Sequence, residues 1–394
     1  MKSVRLKAVV RNCVEKSDGT PKPFIGLEDV SPGTGTLLVS GSPLKAAEDS
    51  VLHQPGDVLF SKLRPYLAKS YLASVPGTAT GEMLVLRPGR EVDARFLLYV
   101  TLSAPWLDWA NTTSYGAKMP RTSWDALGEY RILLPSLEEQ RRIANFLDEQ
   151  LARLDRVIAL RQRQIELEVE RFEEFRESVV EGDSGRLRPP LLNFIDQARP
   201  VNYGVLMPGP RLEEGVPLIE AGDIMRGPIS LARLRRADPA IEAEFKRSRL
   251  REGDLVMAIR GSVGRVQIVP RGAAVLNVTR DAARISLDSK VALGSYIRHA
   301  LSTRRAQDWL RIRITGSAVT GVNIADLRKV PIVVPDLTNQ RAWAEELDKA
   351  EDYLTGLNQL MLRGRSLLVE RKRALITAAV VGQIDVTAAR GTVV

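Results

Sequence analysis

Residues 135–182 read PSLEEQRRIANFLDEQLARLDRVIALRQRQIELEVERFEEFRESVVEG, and residues 335–382 read PDLTNQRAWAEELDKAEDYLTGLNQLMLRGRSLLVERKRALITAAVVG. The offset is 200 residues without a gap, and 16 of the 48 positions are identical, among them Pro135/Pro335, Gln140/Gln340, Arg141/Arg341, Asp148/Asp348, Glu170/Glu370, Arg171/Arg371 and Gly182/Gly382. No proline falls between Pro135 and Pro189 or after Pro335, and both stretches are rich in Leu, Glu, Arg, Gln and Ala, which lose little freedom in a helix. In the first, Leu147, Leu151, Leu154, Ile158, Ile165, Phe172, Phe175 and Val179 follow a four-three rhythm, broken where Arg161 and Glu168 take the seam position. In the second, Ala350, Leu354, Leu357, Met361, Gly364, Leu368 and Leu375 do the same, with Arg371 as the polar break. This is heptad spacing, so two long helices packed along a narrow apolar seam are expected, each a rod of roughly 60 Å if 40 residues rise about 1.5 Å each. The bland alternative is that each helix packs only on its own neighbourhood; the matched pair favours one coiled coil.

The repeat extends outward. Pro23-Phe24-Ile25 with Asp29-Val30 matches Pro217-Leu218-Ile219 with Asp223-Ile224; Gly56-Asp57-Val58-Leu59 matches Gly253-Asp254-Leu255-Val256; Gly116 and Leu127 match Gly316 and Leu327. An internal repeat of this size dictates the architecture. The expected order is a globular half over 1–134, a long helix over 135–183, a second globular half over 184–334, and a second long helix with a tail over 335–394. Within the halves, short apolar runs such as Gly253 to Val278 read as strands and hairpins, and Ala94 to Trp109 and Val291 to Ile312 read as helices. Each half closes with a strand-like run, YRILLP or VPIVVP. The fold class is α+β: two mixed α/β domains separated by two long antiparallel helices, with an internal pseudo-twofold repeat.

With 394 residues, 44% of them apolar and 27% charged, the chain has the composition of a folded two-domain protein. No apolar run approaches the roughly 18 to 20 residues that span a bilayer, and MKSVRLKAVVRNC lacks the apolar core and cleavage site of a secretory leader. A single cysteine, Cys13, cannot form an internal disulfide, so a cytoplasmic location is expected. The net charge of +9 is carried by arginine spread through folded segments, as a protein that displaces counterions from phosphates requires, although many basic proteins bind no nucleic acid.

The duplicated order of a strand-like run ending in Leu-Pro or Val-Pro, then Leu137-Glu138-Glu139-Gln140 or Leu337-Thr338-Asn339-Gln340, then a long helix ending in Val-x-Gly, resembles the specificity subunits of type I restriction-modification systems. The resemblance covers essentially the whole chain. It implies that the halves are target recognition domains, each reading a short half-site on double-stranded DNA, that the helices set the half-site spacing, and that two methyltransferase subunits and a translocating endonuclease subunit join the complex. S-adenosylmethionine would then belong to the methyltransferase partner, and this chain would hold no cofactor and perform no catalysis. Glu138, Glu139, Gln140 and Gln340 are the partner-contact candidates the resemblance implies; Thr-Asn replaces Glu-Glu in the second copy, and Trp343 replaces Ile143.

Residue chemistry supplies DNA-contact candidates. Arg260, Arg265, Arg280 and Arg284 lie in or beside the second hairpin region, with Asn277 and Thr279 between them; arginine suits guanine O6 and N7, asparagine suits adenine N6 and N7. The stretch RIRITGSAVTGVN contributes Arg313, Thr315, Ser317, Thr320 and Asn323, and its counterpart NTTSYGAKMPR contributes Thr113, Ser114, Tyr115, Lys118 and Arg121, with Tyr115 placed to wedge or stack. Lys62, Arg64 and Lys69 follow the first Gly-Asp turn. The competing reading of each is an ordinary solvated face. His53 and His299 do not correspond to one another, and no clustered ligand set suggests zinc. No Asn-Pro-Pro-aromatic, Asp-Pro-Pro-Tyr, phosphate-loop or dinucleotide motif marks the chain as a methyltransferase or nuclease. A coiled-coil scaffold that reads no sequence explains the helices but not the arginine-rich halves.

Overall fold

The computed structural model describes residues 2–38, 44–45, 49–182, 186–272, 274–315 and 320–386. The chain forms two compact units, one of Met1–Gln162 with Met361–Val394, the other of Arg163–Leu360. Each unit takes in part of both long helices as well as one of the expected globular halves.

In the first unit a four-stranded antiparallel sheet runs in the order Val10–Cys13, Met83–Pro88, Val58–Ser61, Ser70–Leu72. The second unit repeats it as Asn202–Tyr203, Ala282–Ile285, Leu255–Ala258, Val266–Ile268. The central strands VLFS and LVMA are buried at every position because both faces are covered, which is why they read as apolar runs rather than alternating ones. A smaller sheet repeats as well: Lys22–Ile25 pairs in parallel with Gly77–Ala79, and Val216–Ile219 pairs in parallel with Asn277–Val278.

Each expected helical stretch is two helices, Ala94–Leu102 with Ala104–Thr112 and Gly294–Leu301 with Arg304–Ile312. Ser103 is extended and Pro105 opens the next helix, a position where its missing N–H costs nothing. Trp106 is fully buried in the first core, meeting Phe60 and Tyr130 edge-on with ring centroids 5.3 Å away in both cases. The expected closing strand exists only in the first half: Arg131–Leu134 pairs antiparallel with Lys2–Arg5. VPIVVP makes a single bridge, Pro331 to Pro190, because Pro189, Pro190, Pro331 and Pro335 remove the ladder donors on both sides.

The two long helices run Leu137–Val180 and Leu337–Val380. In the first unit, Ile143, Ala144, Leu147 and Leu151 share a core with Ile376, Ala379 and Val380, and Lys372 Nζ donates to Asp155 at 2.6 Å. In the second, Phe175, Val179 and Val180 share a core with Trp343, Ala344 and Leu347, and the Arg176 guanidinium feels the Glu351 carboxylate. Within each unit, therefore, the start of one helix packs beside the end of the other, so the helices are antiparallel. The heptad reading survives at the level of single residues: seam positions Leu154, Ile158, Leu354 and Leu357 are half-buried, whereas the off-seam Leu160 and Leu360 are 64% and 66% exposed. Arg371 is exposed, and Lys372 turns its stem into the protein in its place. No helix among the described residues is long and apolar enough to cross a membrane.

Gln140 and Gln340 are fully buried clamps rather than partner contacts. Gln140 Oε1 accepts from the Asp93 N–H at 2.8 Å while Nε2 donates to the carbonyls of Glu91 and Pro135 at 2.9 and 3.0 Å. Gln340 repeats this with Leu293 N–H and the carbonyls of Val291 and Pro335 at 2.7, 2.9 and 2.7 Å. An amide with both donors and one acceptor site committed to backbone groups, on a side chain without solvent exposure, does its work inside its own unit. Glu138 is exposed and Glu139 half-buried, in the first turn of their helix.

Candidate nucleic-acid interface

The central strand of each unit ends in a turn that hydrogen-bonds to a second loop. In the first unit, Tyr115 and Arg121 exchange both backbone bonds (3.0 and 2.9 Å) and so close the loop between them. Arg121 also bridges to Leu63, the Thr122 N–H donates to the Lys62 carbonyl at 3.0 Å, and the Arg64 N–H donates to the Pro120 carbonyl at 2.8 Å. In the second unit Thr315 and Gly321 exchange bonds of 2.9 and 3.0 Å, Gly321 bridges to Arg260, the Val322 N–H donates to Ile259, and the Gly261 N–H donates to Thr320 at 3.1 Å. Two segments some sixty residues apart in sequence are thus locked side by side in both units by the same backbone bonds.

This lock assembles several of the expected residues. In the first unit, Arg64, Tyr115, Lys118 and Arg121 are exposed on adjoining segments, Tyr115 by 63%, with Lys62 half-buried beside them. Tyr66, the aromatic end of the basic run Ser61 to Tyr66, and Met119, which sequence reasoning did not single out, are exposed by 54% and 56% and enlarge the same face. Arg64 is held in the left-handed region at φ 50°, where the repeat has Gly261 at φ 70°. An arginine kept in a conformation that suits glycine stores strain of order 1 kcal/mol or more, the kind of outlier that clusters at ligand-contacting sites. Arg121 is tethered to Glu82 at 2.8 Å in a surface pair of little net worth. Among the described residues no carboxylate pairs with Lys62, Arg64 or Lys118.

In the second unit, Arg260, Arg265 and Arg280 are exposed without a carboxylate partner among the described residues, and Thr315 and Thr320 are exposed at the loop margin. Ser317 lies outside the described residues. Arg313 lies over the Trp309 ring, 3.3 Å from its centroid, and donates to the Trp309 carbonyl, so its charge is presented from a fixed stack.

Other expected contacts have internal duties. Asn277 is buried, its amide donating to Glu242 at 2.9 Å and to the Phe245 carbonyl at 3.1 Å. Thr279 is buried against the Ile219 carbonyl and Asp281. Arg284 is 3% exposed and donates to the carbonyls of Pro200, Arg247 and Arg249. These side chains lie in strands or turns buried within the unit, whereas Arg260 lies beyond a strand end and is exposed. Thr113 and Ser114 return their hydroxyls to the Trp109 and Ala110 carbonyls, and Lys69 Nζ donates to the Leu27 carbonyl. Asn323 caps the short helix Ile324–Leu327, accepting from the Asp326 N–H at 2.7 Å. The Gly-Asp turns are scaffolding too: Asp57 accepts from the Gln54 N–H and pairs with Arg87, and Asp254 accepts from the Arg251 N–H and pairs with Arg199.

One trio among the described residues, His299, Asp348 and Glu351, brings its ligand atoms within 4.8 Å of one another. Arg298 occupies that place with its own charge, bonding Asp348 at 2.7 Å and Glu351 at 2.6 Å, while the His299 Nε2–H donates to the Asp348 carboxylate at 2.8 Å. The trio is an ion-pair clamp between the helix Gly294–Leu301 and the second long helix. In the first unit Tyr99 stands at the position of His299, and its hydroxyl bonds Asp148, the repeat of Asp348.

The family model described as Type I restriction modification DNA specificity domain matches residues 7–171. The Type I restriction enzyme EcoBI specificity subunit of Escherichia coli is 30% identical over 306 residues, covering 68% of this chain and 63% of that protein; the EcoDI specificity subunit is 28% identical over 102 residues, 26% and 22% of the two chains. The chain therefore spans less than two thirds of the length of the curated relatives it matches. A chain solved in a study of complex assembly and conformational transition of the type I R-M system superposes with a TM-score of 0.78 at 19% identity, over 97% of this chain and 98% of that one. The HsdS subunit of Thermoanaerobacter tengcongensis gives 0.54 at 19% identity, over 97% of both chains. The chain thus carries a type I restriction-modification DNA specificity domain and is built, over nearly its whole length, on the fold of that family's specificity subunits.

Proposed function

We propose that this chain is the sequence-reading subunit of a type I restriction-modification complex, without catalytic chemistry of its own, and that each unit reads one short half of a bipartite target on double-stranded DNA. The supporting observation is the repeated lock between strand-end turn and loop, which builds an exposed, carboxylate-poor basic face at the same place in both units. In the first unit Arg64, Lys118 and Arg121 supply charge for phosphates and guanine edges, and Tyr115 supplies a ring for stacking; in the second Arg260, Arg265, Arg280 and Arg313 take those roles. The partners are methyltransferase subunits, two of them by the symmetry of the repeat, and a translocating endonuclease. The methyltransferase holds S-adenosylmethionine and flips the adenine to be methylated. Glu138 and Glu139 are the partner-contact residues retained in this reading, on the first copy alone.

The test is a chimera. Replacing residues 1–134 with the matching half of a relative, then mapping methylated adenines, is expected to change one half-site and preserve the other. Altered recognition in both halves overturns modular reading. Gel-shift binding with methyltransferase present, on the mapped target against a scrambled duplex, separates a reader from a scaffold: equal affinity for every sequence sinks the proposal.

A further inference from the structure

The second unit contains a basic cavity on a different part of the sheet from the loop face. It encloses about 820 Å³ and is lined by Arg199, Lys246, Arg247, Arg249, Arg251 and Arg284, with no carboxylate among its lining residues. Two of these charges are matched from behind: Arg199 bonds Asp254 at 2.9 and 2.8 Å, and Arg249 bonds Glu242 at 2.8 and 2.7 Å. Lys246, Arg247 and Arg251 are exposed and have no carboxylate partner among the described residues.

Arg284 is the informative member. It pairs with Val256 across the central strands, whereas Arg260 lies beyond the far end of the same strand, so the cavity and the loop face stand at opposite ends of it. Arg284 is 3% exposed, and its Nε is buried without a hydrogen-bond partner although its terminal nitrogens bond three carbonyls. Burial pushes the guanidinium below its usual range, and the neighbouring Arg199 pushes the same way. In the first unit the repeat position is the apolar Val85, which pairs with Leu59 as Arg284 pairs with Val256, so the buried cation belongs to the second unit's strand. Asp254 is bonded by Arg199 and Ser286, so it and Asp196 act on Arg284 through their field alone, and every hydrogen bond of Arg284 goes to a carbonyl. A buried cation with an unmet donor, walled by further unpaired cations, is a site with an anion missing.

We propose that this cavity seats a phosphate group, and, resting on the DNA-reading function, that the phosphate belongs to the backbone of the duplex whose bases the loop face reads. The three exposed cations gather the phosphodiester, and the buried Arg284 supplies a fixed positive floor. The seat carries no sequence information; it sets register and adds affinity.

The test uses the full chain and a fluorescent duplex of scrambled sequence, titrated at several salt concentrations, with a variant carrying Lys246→Gln, Arg247→Gln and Arg251→Gln. These side chains are exposed and make no described internal ion pair, so the fold is expected to survive; an unchanged circular dichroism melt checks this, and the single Arg247→Gln variant gives a smaller effect in the same direction. Loss of one seated phosphate lowers the slope of log affinity against log salt by about 0.9, and weakens binding about eightfold at 0.1 M salt. The same loss is expected on the mapped target, leaving the ratio of target to scrambled affinity intact. An unchanged slope overturns the seat even when the wild type still discriminates target from scrambled DNA. Failure of the wild type to discriminate instead overturns the reading function, whatever the variant does. A variant that binds DNA normally but no longer co-purifies with methyltransferase overturns the proposal in favour of an acidic protein surface, and competition of the wild type by inorganic phosphate without a slope change reduces the cavity to a site for free phosphate.

Discussion

Replacing Gln140 with alanine isolates the clamp that joins the first long helix to its unit. The side chain is wholly buried and makes three hydrogen bonds of 2.8 to 3.0 Å, to the Asp93 N–H and the Glu91 and Pro135 carbonyls. The Asp93 bond matters twice, because the Asp93 side chain caps the helix Ala94–Leu102 by accepting from the Arg95 and Phe96 N–H groups. At about 1 kcal/mol per bond lost, with each orphaned group left in a dry site, the expected cost is roughly 3 kcal/mol. For a unit of about two hundred residues that corresponds to a melting temperature lower by roughly 6 to 12 °C. Gln340→Ala should cost the second unit a similar amount, since its three bonds repeat the first set, and the two effects should add because the sites share no neighbour. Urea denaturation and thermal melts of the two single variants and the double variant measure this, alongside co-purification with the methyltransferase subunit. Stability within about 0.5 kcal/mol of wild type, together with lost co-purification, would show the glutamine to be a partner contact and the clamp argument to be wrong.

Two further substitutions probe the repeat. Arg64→Gly places glycine where the backbone is already left-handed; the unfolding midpoint should hold or rise while duplex affinity falls, and a marked loss of stability would deny that the arginine is kept for its side chain. His299→Tyr copies the Tyr99–Asp148 pair of the first unit into the second. Burial holds the His299 imidazole below its ordinary value, although the Asp348 bond opposes this, so the unfolded chain takes up a proton first as pH falls. Stability carried by neutral His299 is therefore full above about pH 6.5 and drains away as pH falls from there toward the depressed folded value, whereas Asp348, itself held low, contributes loss only below about pH 4. The tyrosine variant should show a shallower fall in stability between pH 7 and pH 5; equal slopes in both proteins would remove His299 from the account.

The architecture was legible because helical periodicity and duplication are properties of residue order. The seam from Leu147 to Val179 needs only spacing to be read, and Leu160 and Leu360 fall outside it in the structure as in the pattern. The closing run VPIVVP misled because its apolar content suggests a strand while its two prolines, and the two opposite, remove the bonds that make one. Among the candidate contacts, residue type alone did not separate Arg260 from Arg284. Arg284 lies within a strand covered on both faces and Arg260 lies just past a strand end, a difference set by the packed neighbours and not by residue type. Gln140 and Gln340 carried the repeat's strongest polar identity, and that signal reported a buried structural duty. The run Lys246-Arg247-Ser248-Arg249-Leu250-Arg251 was in plain view, yet its meaning depends on the fold that brings it beside the buried Arg284.

Ile376, Ala379 and Val380 sit in the same core as Leu6, Val10 and Trp106. Synthesis therefore delivers the last pieces of the earliest-made unit after the whole of the other has left the ribosome. Until then the nascent first unit exposes an apolar groove along Ile143, Leu147 and Leu151, which invites chaperone binding or an exchange of C-terminal helices between neighbouring chains. A nonsense codon near position 360 would accordingly injure the half of the molecule that had been translated first.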